Sequence, residues 1–571
     1  MIVNMRYRIK VCERKGFIRL LGYIILTIFI ASHIDPSLLI LSELFYVGKA
    51  QTFSSQINLT PSDLYYARYM DLGINVSNAI GLDNNVLVIS GTHNGSGVVR
   101  ILRFSQDLNK ASFNDYMVHG FVTSLGVSNT KSSSIVVAGT SSGEIIGINL
   151  DENRISYIQA SREPIKNVYV GSVGVDTYIV AFDSVFIYAY KYAYGGWLEI
   201  GPINSSMLMG FSPASVIYVT PLIRVMDDHV EYDLSKLFVI YTPPTIRLII
   251  NVTDPMGLPI NNAIITLTYL KNREIYYSTL TSNGSAILTV PVLDINASHY
   301  ELRITHPSYE NYTEILLIPR PHRPDETFYM QVVMKPGKGV SELVRLVPER
   351  SFVAIYELDL SSIPYKAIPR SFVVIPAKVS KAFFYEPRNN LYSDRYRYIA
   401  IYSTREGFYI TYYDSQYNIV KVDDSNYVYY YLSIKDPDKM DVKISSSGEY
   451  LSFSVDSKIY LAMYIPGLRR HVIMSSYSFN NDLVNIDLSN DQVIIATTID
   501  GETNIFKLRN NALFPCLRSN YYTEYLSGGD VYTYITKDGS RAYVIGREKG
   551  LIIDTRNIIA RCPIEKITIE L

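Results

Sequence analysis

A literal G-x-S-x-G motif at residues 139–143 is the first pattern in the chain that could do chemistry. In α/β-hydrolases the serine of this motif is a nucleophile, held on a strained turn between a strand and a helix. Here the residues that follow, 144–150, include three isoleucines and a leucine in a short run, which is typical of a second strand. The sequence therefore predicts an ordinary hairpin turn at Ser141 and no nucleophile.

The remaining polar groups do not assemble into a recognisable catalytic or metal-binding pattern. The eight histidines are scattered, and His306 and His322, which share one segment, lack a third ligand. The carboxylates between Asp436 and Asp441 are closely spaced, but they lack the glycine and terminal glutamate of a calcium loop. The chain contains no phosphate loop or dinucleotide fingerprint. We therefore assign no catalytic residue, no metal ligand and no cofactor.

Tyrosine is unusually abundant, with 49 residues, and one group of them is regularly spaced. Tyr188, Tyr190, Tyr192 and Tyr194 alternate along one predicted strand and so share one face, and the only tryptophan, Trp197, follows them. Aromatic rings with polar tips suit a partner or glycan surface, so these five residues are predicted to form one. The alternative is packing between neighbouring sheets, with each hydroxyl bonded to a backbone carbonyl.

Two cysteines, Cys516 and Cys562, remain outside the N-terminal segment, and they are predicted to form a disulfide. Sequons for N-glycosylation occur only in the first part of the chain. They are Asn58, Asn75, Asn94, Asn204, Asn251, Asn283, Asn296 and Asn311. We expect exposed, glycan-bearing loops there and a bare C-terminal half.

Residues 1–50 are predicted to be a signal peptide or a signal anchor. A basic stretch precedes twelve apolar residues at 20–31, and a second apolar run at 36–47 ends in a small-x-small cleavage site at Ala50. An uncleaved anchor is the competing interpretation, because 20–47 is long enough to span a membrane. Both place the rest of the chain outside the cytoplasm. The net charge of −1, without a basic stripe, argues against nucleic acid as a partner.

Most of the chain consists of short β-rich runs separated by polar turns. The turns near Gly448, Asn490 and Gly539 lie 42 and 49 residues apart, which is typical of propeller blades. This pattern resembles the WD40/YVTN/quinoprotein-like propeller group, without its W-D dipeptide. We predict an all-β fold with seven or eight blades formed by residues 61–243 and 340–571. Either the last strand, 566–571, or the first, 64–70, is expected to complete one blade from both termini.

Residues 245–336 interrupt this repeat and are bounded by Pro and Gly. They contain a D-x-x-G-x-P-I-x-N-A turn from Asp254, a T-S-x-G turn at Thr281, a Y-x-L-x-I strand from Tyr300 and an H-P-x-Y end at His306. This order resembles the carboxypeptidase regulatory-like, or transthyretin-like, domain family. The resemblance implies an inserted β-sandwich that acts as a spacer or adhesion module and contributes no catalytic residue.

These features predict a non-catalytic, archaeal cell-surface protein that is secreted or membrane-anchored. The propeller and the sandwich would act as a scaffold for binding cell-surface proteins or glycans, with the membrane contacted through an uncleaved N-terminal segment. Two alternatives stay open at this point. One is an exported propeller enzyme, such as a quinoprotein-like dehydrogenase or a glycan-active hydrolase. The other is an extracytoplasmic accessory subunit of a membrane complex.

Overall fold

The fold is nearly all β, as expected from the repeat of short apolar runs and turns. The computed structural model describes residues 53–562 except for 59, 62–66, 84, 109, 130–133, 194–195, 205–214, 228, 272, 295–296, 322–325, 348, 363–364, 491, 510, 520–530 and 561. Within these residues there are 43 strands, one 3-10 turn (Pro437–Lys439) and one α-helix, α1 (Thr555–Ala560). The predicted N-terminal targeting segment lies outside them.

The first three sheets are antiparallel and follow one another along the chain. Sheet 1 contains β1 (Phe53–Asn58), β4 (Asn75–Asp83), β5 (Val86–His93), β6 (Ser96–Phe104) and β7 (Lys110–Val118). Sheet 2 contains β8 (Val122–Asn129), β9 (Ser134–Thr140), β10 (Glu144–Asn149) and β11 (Arg154–Gln159). Sheet 3 contains β12 (Asn167–Val173), β13 (Asp176–Phe182), β14 (Phe186–Ala193), β15 (Gly196–Glu199) and β16 (Ile203–Asn204).

The next two sets of strands are joined by a short parallel pairing between β17 and β28. Sheet 4 contains β17 (Ser215–Val225), β18 (Val230–Thr242), β26 (Ser351–Asp359) and β27 (Lys366–Ile375). Sheet 5 contains β28 (Lys381–Pro387), β29 (Tyr398–Thr404), β30 (Gly407–Tyr413), β31 (Ile419–Val420) and β32 (Val428–Tyr431). The chain thus leaves sheet 4 after β18 and returns to it at β26.

Three further sheets complete this series. Sheet 6 contains β33 (Val442–Ile444), β34 (Tyr450–Val455), β35 (Lys458–Ile465) and β36 (Arg470–Ser478). Sheet 7 contains β37 (Leu483–Leu488), β38 (Val493–Thr498), β39 (Thr503–Arg509) and β40 (Ala512–Ser519). Sheet 8 contains β2 (Thr60–Pro61), β3 (Ala67–Asp71), β41 (Tyr532–Ile535), β42 (Arg541–Ile545) and β43 (Lys549–Asp554).

The series of sheets closes into a ring. One buried apolar cluster joins sheets 1 and 2, and another joins sheets 2 and 3. Each further pair of consecutive sheets, up to sheets 7 and 8, shares a similar cluster. A further cluster joins sheet 8 back to sheet 1. Strand β3 from the first part of the chain pairs with β43, as expected for closure by residues 64–70, whereas the alternative strand, 566–571, lies outside the described residues. Successive sheets of four or five strands in a closed ring are propeller-like.

The excursion between β18 and β26 forms two additional sheets. One contains β22 (Ser285–Pro291), β19 (Thr245–Thr253) and β25 (Thr327–Val333). The other contains β21 (Glu274–Leu280), β20 (Ile264–Tyr269), β23 (Ala297–His306) and β24 (Tyr309–Pro319). Their inward side chains, such as Leu248 and Leu302, belong to the same buried cluster as residues of sheets 3 and 4. No helix among the described residues is long and apolar enough to cross a membrane.

Candidate functional site

The hairpin of β17 and β18 reaches over the centre of the ring. Its strands have 11 and 13 residues, and a register shift at Pro221/Leu222 separates the part inside sheet 4 from the part beyond it. The outer part pairs in parallel with β28, matching Ile223 to Tyr385. The backbone N–H of Arg388 donates to the carbonyl of Val225 at 3.1 Å. The hairpin is therefore held against sheet 5 as a separate structural unit.

The tip of the hairpin is fixed to loops of sheets 5, 6 and 7. The Asp227 carboxylate accepts hydrogen bonds from the Ser446 hydroxyl at 2.8 Å and from the Asn389 side-chain amide at 2.5 Å. The Asn490 side-chain amide donates to the carbonyl of Met226 at 3.0 Å and also to that of Asp227. These loops follow the innermost strands of their sheets, so the hairpin covers the channel at that end.

A buried charge network anchors the base of the hairpin. Arg224 donates to Asp233 at 2.6 Å and to Glu386 at 2.9 Å, and both carboxylate residues are only 2% exposed. Lys236 and Arg397 complete the pairs, at 2.5 Å from Asp233 and 2.6 Å from Glu386. Burial alone raises the pKa of Asp233, but Lys236 and Arg224 outweigh it and hold that pKa below its usual range. The network therefore stays charged and rigid at neutral pH.

A cavity of about 280 Å³ lies beneath the hairpin. The innermost strands of sheets 1, 2, 5, 6, 7 and 8 line it, together with the hairpin itself. Its aliphatic lining comes mainly from sheets 1 and 2 and from the hairpin, for example Ile80, Val127 and Val225. Its charged lining comes from sheets 6 to 8, with Lys443, Asp487 and Lys537. The cavity is thus apolar on one side and charged on the other.

The two lysines of the cavity differ in how they are neutralised. Lys443 Nζ lies 3.2 Å from Asp441 Oδ1. Burial lowers the pKa of Lys443, but Asp441 and Asp487 outweigh burial, so this pKa is above its usual value. Lys537 Nζ donates to the carbonyl of Leu488 at 3.2 Å. Among the described residues, no carboxylate oxygen lies within 4.0 Å of Lys537 Nζ. Burial lowers the pKa of Lys537, with Asp487 opposing this and Lys443 adding to it.

The other polar groups of the cavity leave one acceptor unsatisfied. Asp487 is already occupied, because its two oxygens accept the backbone N–H groups of Leu488 and Ile535, each at 2.9 Å. The buried Oδ1 of Asn485 has no hydrogen-bond partner within the described part of the chain. The described residues also contain no cluster of three or more His, Cys, Asp or Glu that could hold a metal. Asn485 and Lys537 line the same cavity, so a ligand there could donate to the amide oxygen and accept from the ammonium group.

Ser141 lies in the turn between β9 and β10, as the sequence predicts. The segment after the motif is the strand β10, so the helix that a hydrolase requires is replaced by a strand. The Ser141 hydroxyl accepts the backbone N–H of Phe121 at 3.0 Å, which ties this turn to the start of sheet 2. Its role is therefore structural.

The aromatic stripe is mostly interior. Tyr188, Tyr190 and Trp197 are 6%, 3% and 3% exposed and pack against buried residues of sheet 2, such as Val137. These three side chains therefore do not form the partner surface expected from the sequence, because the neighbouring sheet covers their face. Tyr192 is partly buried and donates to Glu152 at 2.8 Å, and Tyr194 lies outside the described residues.

The predicted disulfide between Cys516 and Cys562 is present, with the two Cα atoms 4.7 Å apart. Five of the sequon asparagines have exposed side chains. Exposure is compatible with glycosylation, which stays a prediction. They are Asn75, Asn94, Asn251, Asn283 and Asn311. The side chains of Asn58, Asn204 and Asn296 lie outside the described part.

Sequence reasoning missed the hairpin and the charged side of the cavity. Lys443 stands between two apolar residues in the short strand β33, and such a lysine on a buried strand was the available signal. Lys537 follows Thr536 in a turn motif and resembles an exposed turn residue. Only the ring closure brings the two lysines together.

Comparisons with known proteins return propeller structures at very low identity. The Dos1 propeller has a TM-score of 0.40 and 9% identity, covering 89% of this chain and 95% of that one. The WD40 β-propeller domain of Doa1 has a TM-score of 0.33 and 8% identity, covering 89% of this chain and 99% of that one. Sqt1 of Saccharomyces cerevisiae has a TM-score of 0.36 and 10% identity, covering 76% of this chain and 95% of that one. No protein-family model and no curated protein matches the sequence. Since each of these TM-scores is below 0.5, the propeller-like architecture rests on the strand pairing described above.

Proposed function

We propose that the chain is an exported, non-catalytic binding protein built on an eight-bladed propeller with an inserted β-sandwich. Sheets 1 to 8 would each be one blade, since each shares an apolar cluster with the next. Residues 245–336 would form the sandwich, inserted between the second and third strands of the fourth blade. The sandwich would present a docking surface for another cell-surface protein.

The concentration of exposed apolar side chains in residues 245–346 carries this proposal. Twelve of the 24 large apolar side chains that are exposed in the described residues lie in this segment. Examples are Ile315 at 63%, Leu317 at 59% and Tyr329 at 75%. Exposed apolar residues that cluster in one region are typical of interaction sites, whereas the same residues scattered singly are not.

The edge strand β24 is the best-defined part of this surface. Ile315 and Leu317 lie opposite Glu301 and His299 of β23, and all four side chains point away from the buried Leu302 and Tyr300. Because β24 is the last strand of its sheet, its outer backbone edge beyond residue 311 is also available to another strand, whereas its start is bridged to Lys335 and Pro336. An apolar pair within a polar rim is the usual composition of a protein-binding patch.

Two further observations support the extracytoplasmic location. The chain contains an intramolecular disulfide, which is typical of an oxidising compartment. The sequon asparagines whose side chains are described are all exposed, so glycans could be attached without disturbing the ring.

The proposal is tested by cross-linking intact cells that produce the full chain, followed by mass spectrometry. We expect cross-links to one stoichiometric partner from residues 299–346, and the double variant Ile315→Asp/Leu317→Asp should weaken that association roughly tenfold or more. Ile499→Asp is the matched control, because Ile499 is 50% exposed on the ring. A partner that is lost equally with Ile499→Asp, or a chain that stays alone in the cytoplasm, contradicts the proposal.

A further inference from the structure

The charged side of the central cavity carries more positive than negative charge. Lys443 and Lys537 line it, and Lys381 lies close enough to interact with Asp441 and Lys443. Three carboxylates interact with these ammonium groups: Asp441 and Asp438 with Lys381, Asp441 and Asp487 with Lys443, and Asp487 with Lys537. Lys381 donates to the carbonyl of Met440 at 3.1 Å, so it too is satisfied by a neutral acceptor. Of the two lysines that line the cavity, only Lys443 has a carboxylate oxygen within 4.0 Å among the described residues.

Lys537 is the cavity lysine without a close ion pair among the described residues. The residue is 6% exposed, and its ammonium group donates to one carbonyl oxygen, although it has three N–H donors. Burying an unpaired charge is costly, and proteins normally pair it or bind a counter-ion. Asn485 contributes a second polar atom with unmet hydrogen-bonding capacity at the same cavity. The Lys537 ammonium group calls for an anionic or accepting group of a ligand, whereas the Asn485 oxygen calls for a hydrogen-bond donor.

The opposite side of the cavity is unsuited to a free inorganic ion. Ile80, Leu82, Val127 and Val225 line it with aliphatic side chains, and these would gain nothing from a hydrated anion. A volume of about 280 Å³ lies near the lower end of the range of roughly 300–1,000 Å³ that is usual for small-molecule sites. The space matches a compact molecule with one anionic end and one apolar end.

We propose that the cavity beneath the β17–β18 hairpin binds a small organic carboxylate. Its carboxylate lies against Lys537, and its hydrocarbon part lies against the aliphatic side chains of sheets 1 and 2. The hairpin tip, fixed by Asp227, covers the bound molecule. This site is separate from the apolar surface of residues 245–346, so each proposal stands or fails independently.

The test uses the purified full-length protein, equilibrated in buffer without carboxylates, and isothermal titration with defined probes. Benzoate and hexanoate represent an aromatic and an aliphatic carboxylate. Benzamide and hexanamide are their neutral counterparts, and inorganic phosphate is an anion without an apolar part. We expect at least one carboxylate to bind and its amide to bind much more weakly, because only the carboxylate neutralises Lys537.

Two lysine variants locate the binding. Lys537→Met removes the charge and keeps the length of the side chain, so the Kd of the carboxylate should rise roughly 30-fold or more. Lys435→Met is the matched control, because its side chain is 73% exposed, and it should leave the Kd unchanged. In the absence of ligand, Lys537→Met should unfold at an equal or higher temperature than the unmodified protein, since it removes an unpaired buried charge. A clear loss of stability would indicate a structural lysine and contradict the proposal.

The variant Asp227→Ala controls for the covered entrance, because it removes the two side-chain hydrogen bonds that join the hairpin tip to Ser446 and Asn389. Absence of carboxylate binding in both the unmodified protein and Asp227→Ala overturns the proposal. Equal binding of carboxylate and amide overturns it as well, since the charge would then play no part. Phosphate that binds as tightly as either carboxylate would show that the apolar side is irrelevant.

Discussion

His471 illustrates how a single side chain is fixed by its surroundings. It is completely buried between sheets 5 and 6, among Tyr396, Tyr412 and Tyr464. Its Nδ1 lies 3.0 Å from the Tyr412 hydroxyl, and its Nε2 lies 3.1 Å from the carbonyl of Gly448. Since a carbonyl can only accept, Nε2 carries the proton and Nδ1 accepts from Tyr412. Both ring nitrogens are therefore satisfied in the neutral imidazole.

This environment makes the stability of the protein sensitive to acid. Burial lowers the pKa of His471 from 6.5 to about 4, although its hydrogen bond to Gly448 opposes the shift. The unfolded chain therefore binds a proton between these two pH values that the folded chain does not, and acidification favours unfolding. The loss from this one group approaches about 3 kcal/mol at pH 4.

The comparison of His471→Asn with the unmodified protein tests this expectation by denaturant unfolding across the pH range. The variant should be less stable at neutral pH, and the difference should shrink as the pH falls from 6.5 towards 4. His299→Asn, an exposed histidine of β23, should show no such trend. A difference that is constant with pH would mean that His471 is not neutral in the folded state.

At the scale of elements, the β17–β18 hairpin differs from the strands around it because its outer part is held by side chains instead of sheet pairing on both sides. Asp227 is the central group, since it bonds to loops that follow the innermost strands of two different sheets. The rest of the ring is stabilised by apolar clusters between sheets, which do not depend on Asp227. Local opening of the hairpin is therefore separable from unfolding of the ring.

Asp227→Ala should raise the hydrogen-exchange rates of amides in residues 222–233 by roughly tenfold or more, since each lost hydrogen bond contributes about 1 kcal/mol. Exchange in the innermost strands of sheets 1 and 2 should stay unchanged. Asp254→Ala, which removes a comparable turn contact in residues 245–336, is the control and should leave residues 222–233 protected. If the two variants give the same exchange in the hairpin, Asp227 does not hold it.

The strands and turns themselves were largely predictable from the sequence, whereas the packing of one sheet against another was not. The turns at Gly448 and Gly539 are polar and glycine-containing, both glycines have a positive φ, and both turns were expected from the sequence. The alternation of Tyr188, Tyr190 and Tyr192 correctly places these residues on one face. Which sheet covers that face is a tertiary property that spacing does not encode. For the same reason the sequence could not show that Lys443 and Lys537 share a cavity.

At the scale of the whole molecule, the ring depends on closure by both ends of the chain. β3 supplies one strand of sheet 8, and the C-terminal strands β41 to β43 supply most of the others. The disulfide joins Cys516 of β40, the last strand of sheet 7, to Cys562, just after α1. The bridged segment, with a sequence separation of 46, contains β41 to β43 and α1. The covalent bond therefore ties sheet 8 to sheet 7 at the closing point of the ring.

Replacing both cysteines by serine should consequently weaken sheet 8 before the rest of the ring. Loss of the cross-link frees the segment in the unfolded chain, which costs about 2 to 4 kcal/mol. Because a chain of this size need not unfold in one step, the measurement is hydrogen exchange and limited proteolysis of residues 532–554 with and without the disulfide. Cys516→Ser alone should have the same effect as the double variant, because either change removes the bond. Cleavage that begins instead in sheets 1 to 3 would show that the ring does not open at its closing blade.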